Sequence, residues 1–245
     1  MAAEPAEGPL PWRGRDLRPP SGGLGRSYLG QQEAVISASK LASWAFAQEF
    51  VPEDDVLMRA RDRAEELGCT PVGAGAGAAL RMLAAAVRAK AVVEIGTGTG
   101  VSGLWLLRGM PEDGVLTTID VEAEHQRAAR QTFTEGGIRP NRARVITGRG
   151  LDVLPRLTDG AYDLVLVDAD KQDVDAYLDQ ALRLLRSGGV LAVAGALWHD
   201  KVADPAQRDE TTTAIRELGK RVRAHEDLVP ALLPCGDGLL VAVKR

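Results

Sequence analysis

The sequence predicts an α/β protein with a doubly wound, mostly parallel seven-stranded sheet. From Ala91 onward, short apolar runs alternate with amphipathic stretches of helical length. The runs are apolar without interruption, which is typical of strands buried on both faces of a parallel sheet, and the spacing fits right-handed crossovers. Two final apolar runs flank Gly236-Asp237-Gly238. This turn sequence predicts a C-terminal β-hairpin, which places an antiparallel strand in the sheet.

The elements of this region follow from the same alternation. Strands are predicted at residues 91–96, 114–120, 143–148, 162–168 and 189–195. Helices are predicted between them at residues 100–110, 122–137, 151–160 and 175–189, and one more at about 205–227. Their apolar residues recur at helical spacing, so each helix has one face for the sheet.

The chain divides into three predicted segments. Residues 1–30 contain five prolines and many glycines, and we interpret them as a flexible tail because they cannot bury enough apolar surface to offset their ordering entropy. Residues 31–90 predict N-terminal helices at about 31–50, 53–68 and 75–88. Residues 91–245 form the sheet-containing domain.

Composition excludes several classes of protein. The net charge is −4 and no dense Lys/Arg block occurs, which argues against nucleic acid as a partner. No apolar run approaches the roughly 20 residues of a membrane span, and no signal-peptide core is visible, so we expect a cytoplasmic protein without a membrane partner. The two cysteines, Cys69 and Cys235, are far apart and do not have metal-ligand spacing.

The turn after the first predicted strand, in "VVEIGTGTGVSG", is the first candidate ligand site. A nucleoside triphosphate loop needs Gly-Lys-Ser/Thr after the glycines, and none occurs. The dinucleotide pattern G-x-G-x-x-G does match Gly98, Gly100 and Gly103, with Asp120 following Gly100 by 20 residues. An NAD(P)-dependent oxidoreductase therefore remains an alternative at this point.

Acidic residues at the strand ends favour a different ligand. Glu94 lies inside the first strand just before the turn, Asp120 ends the second strand and Asp168 ends the fourth. Carboxylates at these places repel a pyrophosphate but attract an ammonium group, and Asp120 can accept both hydroxyls of a ribose. A cationic nucleoside without phosphates, such as S-adenosylmethionine, fits this set. The sequence therefore favours a methyltransferase.

Six ordered blocks then carry a resemblance to a known family. They are "VVEIGTGTGVSGLWLL", "LTTIDVEAEHQRAAR", "YDLVLVDADK", "LRLLRSGGVLAV", "LWHDKVADP" and "LLPCGDGLLVAVK". From about Leu57 to Arg245 the chain resembles S-adenosylmethionine-dependent O-methyltransferases of the family that includes catechol and caffeoyl-coenzyme A O-methyltransferases, especially its actinobacterial members. The resemblance implies a Rossmann-like class I methyltransferase fold, a small hydroxylated acceptor, such as a phenol or catechol, and a homodimer.

The same resemblance implies a set of cofactor contacts. These are Val72, Glu94, Gly96, Thr97, Ser102, Asp120, Val121 and Asp170, with Asp168 as an alternative to Asp170. Glu94 would hold the ammonium side of the methionine, directly or through water. Ser102 is expected to cap the following helix and to donate to the methionine carboxylate. Asp120 has a second interpretation as a cap of the helix near Glu122.

The family's metal site is not preserved. The resemblance implies a divalent cation bound by Asp168 and by an Asp-Asn pair at the end of the fifth strand, where this chain has Ala194 and Gly195. Mg²⁺ prefers several oxygen ligands in octahedral array, so we expect no tightly bound metal. A cation held by Asp168, Asp170 and the acceptor is the weaker alternative.

The predicted catalytic residues are Lys171, His199 and Asp168. Lys171 aligns with the family's catalytic lysine, and the neighbouring carboxylates should favour its charged form, which can stabilise a phenolate. His199 is the better base at neutral pH, with a surface histidine as the competing interpretation. His125 and His225 are expected to be solvated. Besides the oxidoreductase, a non-catalytic cofactor-binding homologue remains an alternative.

Overall fold

Seven strands form one sheet in the computed structural model, which describes residues 39–245. They are β1 (Ala91–Ile95), β2 (Val115–Asp120), β3 (Ala143–Thr147), β4 (Tyr162–Val167), β5 (Leu185–Ala194), β6 (Leu228–Leu233) and β7 (Leu239–Lys244). Their order is β3-β2-β1-β4-β5-β7-β6. The first five strands are parallel, and β7 is antiparallel to both β5 and β6. The predicted fold class and its hairpin are confirmed.

Eight α-helices surround this sheet in the described part of the chain. They are α1 (residues 39–48), α2 (Asp55–Glu66), α3 (Ala74–Ala86), α4 (Val101–Gly109), α5 (Ala123–Glu135), α6 (Gly150–Val153), α7 (Val174–Leu184) and α8 (Glu210–Ala224). Aspartates define two of the starts, because Asp54 accepts a hydrogen bond from the N–H of Leu57 and Asp209 accepts one from Thr212.

Three predicted boundaries need correction. The helix predicted at 151–160 is only the short α6 followed by a 3₁₀ turn, Leu154–Arg156, in which Pro155 supplies no N–H. Strand β5 begins at Leu185, inside the helix predicted at 175–189. Helix α8 begins at Glu210 rather than near residue 205, because Asp209 caps it.

The core consists of two apolar layers, one on each face of the sheet. Leu80 of α3 and Trp105 of α4 are buried on one face, together with Val92 of β1. Leu178 of α7 is buried on the other face with Val93, the next residue of β1. Alternate residues of one strand thus enter opposite layers, as expected for a sheet covered by helices on both sides.

The domain that contains the sheet runs from Trp44 to Arg245 and so includes α2 and α3. The tail predicted at residues 1–30, and residues 31–38 of the helix predicted at 31–50, lie outside the described residues. Across residues 39–245, no helix is both long enough and apolar enough to cross a membrane.

The strand order reverses between β1 and β4, which lie side by side. From β1 the chain crosses to β2 and β3 on one side, whereas β4 and β5 lie on the other. Ligands of open α/β sheets bind outside the carboxyl ends of the strands at such a reversal. This position brings together the glycine turn after β1 and the acidic loop after β4.

Candidate active site

A cavity of about 590 Å³ opens at the carboxyl edge of the sheet. Its walls come from the turn after β1, the ends of β2 and β3, the loop after β4, and residues 69–71 ahead of α3. Five acidic residues line it: Asp120, Glu122, Asp168, Asp170 and Asp173. Arg149 also lines the cavity, but its guanidinium is paired with Asp173 at 2.7 Å. The excess negative charge attracts a cationic ligand and repels a diphosphate.

The turn after β1 brings the backbone close to β4. Gly96 has a φ of +96°, and a side chain there would collide with the carbonyl oxygen of Asp168. Gly100 has a φ of +86° and is the N-cap residue of α4, close against Ala129. Glycine at these two positions allows the backbone to approach a ligand and turns the N-terminus of α4 toward the cavity.

Asp120 connects the end of β2 to the glycine turn. Its Oδ2 accepts a hydrogen bond from the N–H of Gly98 at 2.9 Å, and its Oδ1 accepts one from the N–H of Glu122, also at 2.9 Å. Each carboxylate oxygen keeps a further lone pair. The bond to Glu122 matches the capping interpretation, and the free lone pairs suit a pair of vicinal hydroxyls. The two roles are therefore compatible.

His125 faces the same carboxylate. Its Nδ1 lies 3.5 Å from Oδ2 of Asp120, and 19% of its side chain is exposed. The residue is half-buried and lines the cavity, so it is nearer to the candidate site than the sequence indicated. The first turn of α5 carries it over the end of β2. His225 ends α8, where its Nδ1 accepts a hydrogen bond from the N–H of Asp227 at 3.2 Å.

Glu94 is completely buried beneath the turn. The hydroxyls of Ser102 and Thr118 donate to its two carboxyl oxygens, each at 2.6 Å. The hydroxyl of Thr97 lies 2.7 Å from that of Thr118. Burial raises the pKa of the Glu94 carboxyl to about 8. Ser102 and Thr97 line the cavity and thus connect this buried carboxyl with any ligand there.

The expectation that Ser102 caps α4 is wrong. Gly100 is the N-cap residue, and Ser102 is the second residue inside the helix. Gly100 adopts the left-handed conformation that ends the turn, so the helix begins at Val101, one residue before Ser102. The Ser102 hydroxyl is therefore directed to Glu94, at the boundary between the cavity and the core.

The remaining predicted cofactor contacts differ in position. Thr97, Val121 and Asp170 line the cavity together with Gly96. Val72 is 8% exposed and packs in the apolar core. The cavity wall nearest to it consists of residues 69–71.

Lys171 lies beside Asp168, just after β4. Its ammonium donates a hydrogen bond to the carbonyl oxygen of Ala194 at 2.8 Å and is 4.0 Å from Oδ1 of Asp168. Burial lowers the pKa of Lys171 although Asp168, Asp237 and Asp170 act in the opposite direction. The expectation that the charged form of Lys171 is favoured is therefore wrong, because burial has a larger effect on its pKa than the neighbouring carboxylates. Burial also raises the pKa of Asp168.

His199 lies on the loop after β5. Its backbone N–H donates a hydrogen bond to Oδ1 of Asp237 at 2.7 Å. Its ring Nδ1 is 3.8 Å from Oδ2 of the same aspartate. The side chain is 67% exposed, and its ring packs beside that of Trp198 at a centroid distance of 5.1 Å. His199 is not among the residues that line the cavity. Asp168, which lies 4.0 Å from Lys171, does line the cavity.

The residues at the end of β5 do not fit the family's metal. Ala194 and Gly195 offer no side-chain oxygen, and a side chain at Gly195 would point toward Nζ of Lys171 and Oδ2 of Asp237. Asp168 is therefore the only one of the implied ligand positions that has a side-chain oxygen, which is too few for Mg²⁺. Between residues 39 and 245, no group of three or more His, Cys, Asp or Glu side chains is arranged to hold a metal ion.

Several site residues are missing from the sequence-based set. His125, Arg149 and Tyr177 line the cavity, and Asp237 contacts the loop of His199. The position of His125, five residues after Asp120 in the first helical turn, was a usable signal. No comparable signal exists for Asp237, because the hairpin turn and β5 are brought together only by strand order.

The chain is similar to known O-methyltransferases over most of its length. The sequence profile of a family described as "O-methyltransferase" matches residues 54–245. A protein from Mycobacterium ulcerans named "Putative O-methyltransferase" is 54% identical over 200 residues, which cover 82% of this chain and 89% of that protein.

Two solved structures extend the comparison. The O-methyltransferase TomG from Streptomyces achromogenes, involved in tomaymycin synthesis and solved in complex with SAM, is 30% identical with a TM-score of 0.73, covering 82% of this chain and 94% of TomG. An O-methyltransferase from Bacillus cereus, solved in complex with SAH, is 26% identical with a TM-score of 0.74, covering 83% and 99%.

Proposed function

This chain belongs to the O-methyltransferase family and is an S-adenosylmethionine-dependent enzyme, and we propose that it methylates a hydroxyl of a small phenolic or catechol-like acceptor without a tightly bound metal. The alternatives of an NAD(P)-dependent oxidoreductase and of a non-catalytic homologue are not supported, because the matched family and relatives are named as methyltransferases. The acceptor and the metal requirement form the proposal.

The acidic cavity holds the cofactor in this proposal. Asp120 accepts the ribose hydroxyls, and Val121 and Asp170 flank the nucleoside at the cavity mouth. Gly96 and Thr97 bring the backbone and a hydroxyl to the methionine end. Negative charge on five wall residues supports the binding of a ligand that carries an ammonium and a sulfonium.

Glu94 and Val72 act from behind the cavity wall, to which Ser102 belongs. Ser102 presents its hydroxyl to the methionine end while Glu94 accepts its hydrogen bond at 2.6 Å. Glu94 therefore acts on the ammonium through Ser102 or water. Val72 fixes the segment of residues 69–71, because its carbonyl oxygen accepts a hydrogen bond from Arg61 at 2.7 Å.

The acceptor side consists of Asp168, Lys171 and His199. S-adenosylmethionine supplies a methyl group on a sulfonium, which is a good leaving group. The residues of the chain have to align the acceptor oxygen and remove its proton, because a free phenol has a pKa of about 10. Lys171 donates to the developing oxyanion, Asp168 fixes Lys171, and His199 takes the proton.

The position of Lys171 is the observation that carries the metal-independent proposal. Its ammonium contacts the carbonyl of Ala194, at the place where the family has a metal ligand. A fixed N–H donor in a mostly buried site can stabilise an oxyanion without any rearrangement during the reaction. The positive charge thus comes from the chain itself.

Two measurements test the proposal. Titration calorimetry should show S-adenosylmethionine binding with the same affinity in Mg²⁺ and in EDTA. Methyl transfer to a panel of catechols and phenols should persist in excess EDTA. The double variant Ala194→Asp, Gly195→Asn restores the family's ligands and is the matched control, because it should gain measurable Mg²⁺ binding. Activity that EDTA abolishes and Mg²⁺ restores would refute metal independence, and a fully inactive panel would refute the acceptor class.

We also propose that the protein is a cytoplasmic homodimer without nucleic acid or membrane partners. Trp44, Phe46, Phe50 and Met82 are large apolar residues with about half or more of their surface exposed, which supports an additional protein contact. Sedimentation velocity of the full chain tests this directly, since a monomer at micromolar concentration would contradict it.

A further inference from the structure

The turn between β6 and β7 holds the loop that follows β5. The carbonyl oxygen of Gly238 accepts a hydrogen bond from the N–H of Ala196 at 3.0 Å, and that of Asp237 accepts one from Leu197 at 2.9 Å. The carboxylate of Asp237 adds the third bond, to the N–H of His199 at 2.7 Å. Three hydrogen bonds thus fix this loop to the hairpin over four residues.

The loop needs such support because of its backbone. Trp198, His199 and Asp200 have φ values of +49°, +54° and +63°, in the left-handed region. Each residue with a side chain pays about 1–2 kcal/mol for this conformation. Only a surrounding structure that fixes the loop makes three in succession stable. The carboxylate of Asp237 binds the middle residue of the three.

Asp237 also lies near two of the three residues of the acceptor side, His199 and Lys171. Its Oδ2 is 3.8 Å from Nδ1 of His199. The same oxygen lies 3.8 Å from the point that a Cβ of Gly195 would occupy, and Nζ of Lys171 lies 3.6 Å from that point. Asp237 is therefore near both the proposed base and the proposed oxyanion donor. Hydrogen bonds of catalytic groups often shorten when substrate binds.

We propose that Asp237 is a positioning residue for methyl transfer, which fixes the loop of His199 and directs the proton of its neutral imidazole to Nδ1. The Nε2 lone pair is then free to take the proton of the acceptor hydroxyl. That oxygen forms its bond to the methyl carbon while the carbon–sulfur bond breaks, and sulfur leaves as a neutral thioether. The inference rests on the proposed function, in which His199 is the base.

The tautomer of His199 tests the inference without any acceptor. We expect ¹⁵N NMR of the neutral imidazole to show the proton on Nδ1. His199→Gln assigns the signal. Asp237→Asn should move most of the proton to Nε2, whereas Asp237→Glu should retain the Nδ1 form. Asp200→Asn, a neighbouring change in the same loop, is the control and should leave the tautomer unchanged.

Kinetics with catechol as the probe provide the second test. Asp237→Asn should lower kcat by about 10- to 100-fold and His199→Ala by about 100-fold or more, with the Kd for S-adenosylmethionine within about twofold of the original. The double variant should be no slower than His199→Ala, because Asp237 acts through His199. Multiplying losses would overturn the inference, as would a wild-type His199 protonated on Nε2. An inactive wild type refutes the proposed acceptor class instead, and the NMR result still decides the role of Asp237.

Discussion

The ammonium of Lys171 donates a 2.8 Å hydrogen bond to the carbonyl oxygen of Ala194, the last residue of β5. The bond connects the loop after β4 to the end of β5. It also fixes a positive group beside Asp168, at 4.0 Å from its carboxylate. Lys171 therefore connects the ends of two neighbouring strands at the carboxyl edge of the sheet.

Replacement of Lys171 by Met should separate catalysis from cofactor binding. The variant loses the N–H donor but keeps an apolar stem of similar length, so we expect kcat to fall about 100- to 1000-fold. Lys171 does not line the cavity, so the Kd for S-adenosylmethionine should stay within about twofold. Radiometric methyl transfer and calorimetry measure the two quantities. Lys201→Met is the control, and near-full turnover of Lys171→Met would remove its catalytic role.

Glu94 should make stability depend on pH. Burial raises its pKa from the ordinary 4.5 to about 8, so the folded state binds a proton that the unfolded state has released between these values. The stabilisation is complete below about pH 4.5 and is lost as the pH rises toward 8 and above. Glu94→Gln cannot titrate. Thermal melting of both proteins across this range should show the wild type losing stability relative to the variant, and parallel curves would contradict the assignment.

The affinity for S-adenosylmethionine should also depend on the ionisation of Glu94, but it should increase as the pH rises, whereas stability decreases. A cationic ligand near Ser102 favours the ionised form of Glu94, and below about pH 8 that form requires the loss of a proton. The Kd for S-adenosylmethionine should therefore increase by up to about tenfold for each pH unit below 8. Calorimetry in buffers of different ionisation enthalpy should detect proton release in the wild type and none in Glu94→Gln.

Gly96 should tolerate no side chain. Its φ of +96° and its approach to the carbonyl of Asp168 add a collision to backbone strain. Gly160 has a φ of +61° and open space around it, so a substitution there measures the backbone strain without a collision. We expect Gly160→Ala to cost about 1–2 kcal/mol of unfolding free energy and Gly96→Ala at least about 3 kcal/mol, or to prevent folding. Urea denaturation compares the two, and equal losses would show that the collision does not matter.

Much of the sheet could be predicted because its strands are continuous apolar runs. The hairpin could be predicted from Gly236-Asp237-Gly238 because the backbone geometry of a turn depends on only a few neighbouring residues. Strand β5 was harder. Residues 185–188 carry "LRSG", which has no strand pattern, yet Leu185 pairs with Tyr162 across an irregular register. Tertiary pairing therefore determines the start of that strand.

The sequence indicates which residues lie at strand ends but not how deeply a side chain is buried. Asp120 and Asp168 follow from the position of the carboxyl edge, and they line the cavity. Glu94 lies in β1, just before the turn. Its depth below the surface depends on the packing of α4 and β2, which the sequence does not show. Asp237 reaches the site only because β7 lies next to β5.

Strand β7 lies between β5 and β6 in the sheet. The second neighbour of β5 is therefore synthesised about 45 residues after β5 ends. During translation, the parallel half of the sheet can assemble on the ribosome while one side of β5 exposes unpaired backbone groups. A nascent chain interrupted before β7 would combine a nearly finished nucleoside cavity with a template for pairing to another chain. Quality control of this protein should therefore depend on how quickly its final strand follows the fifth.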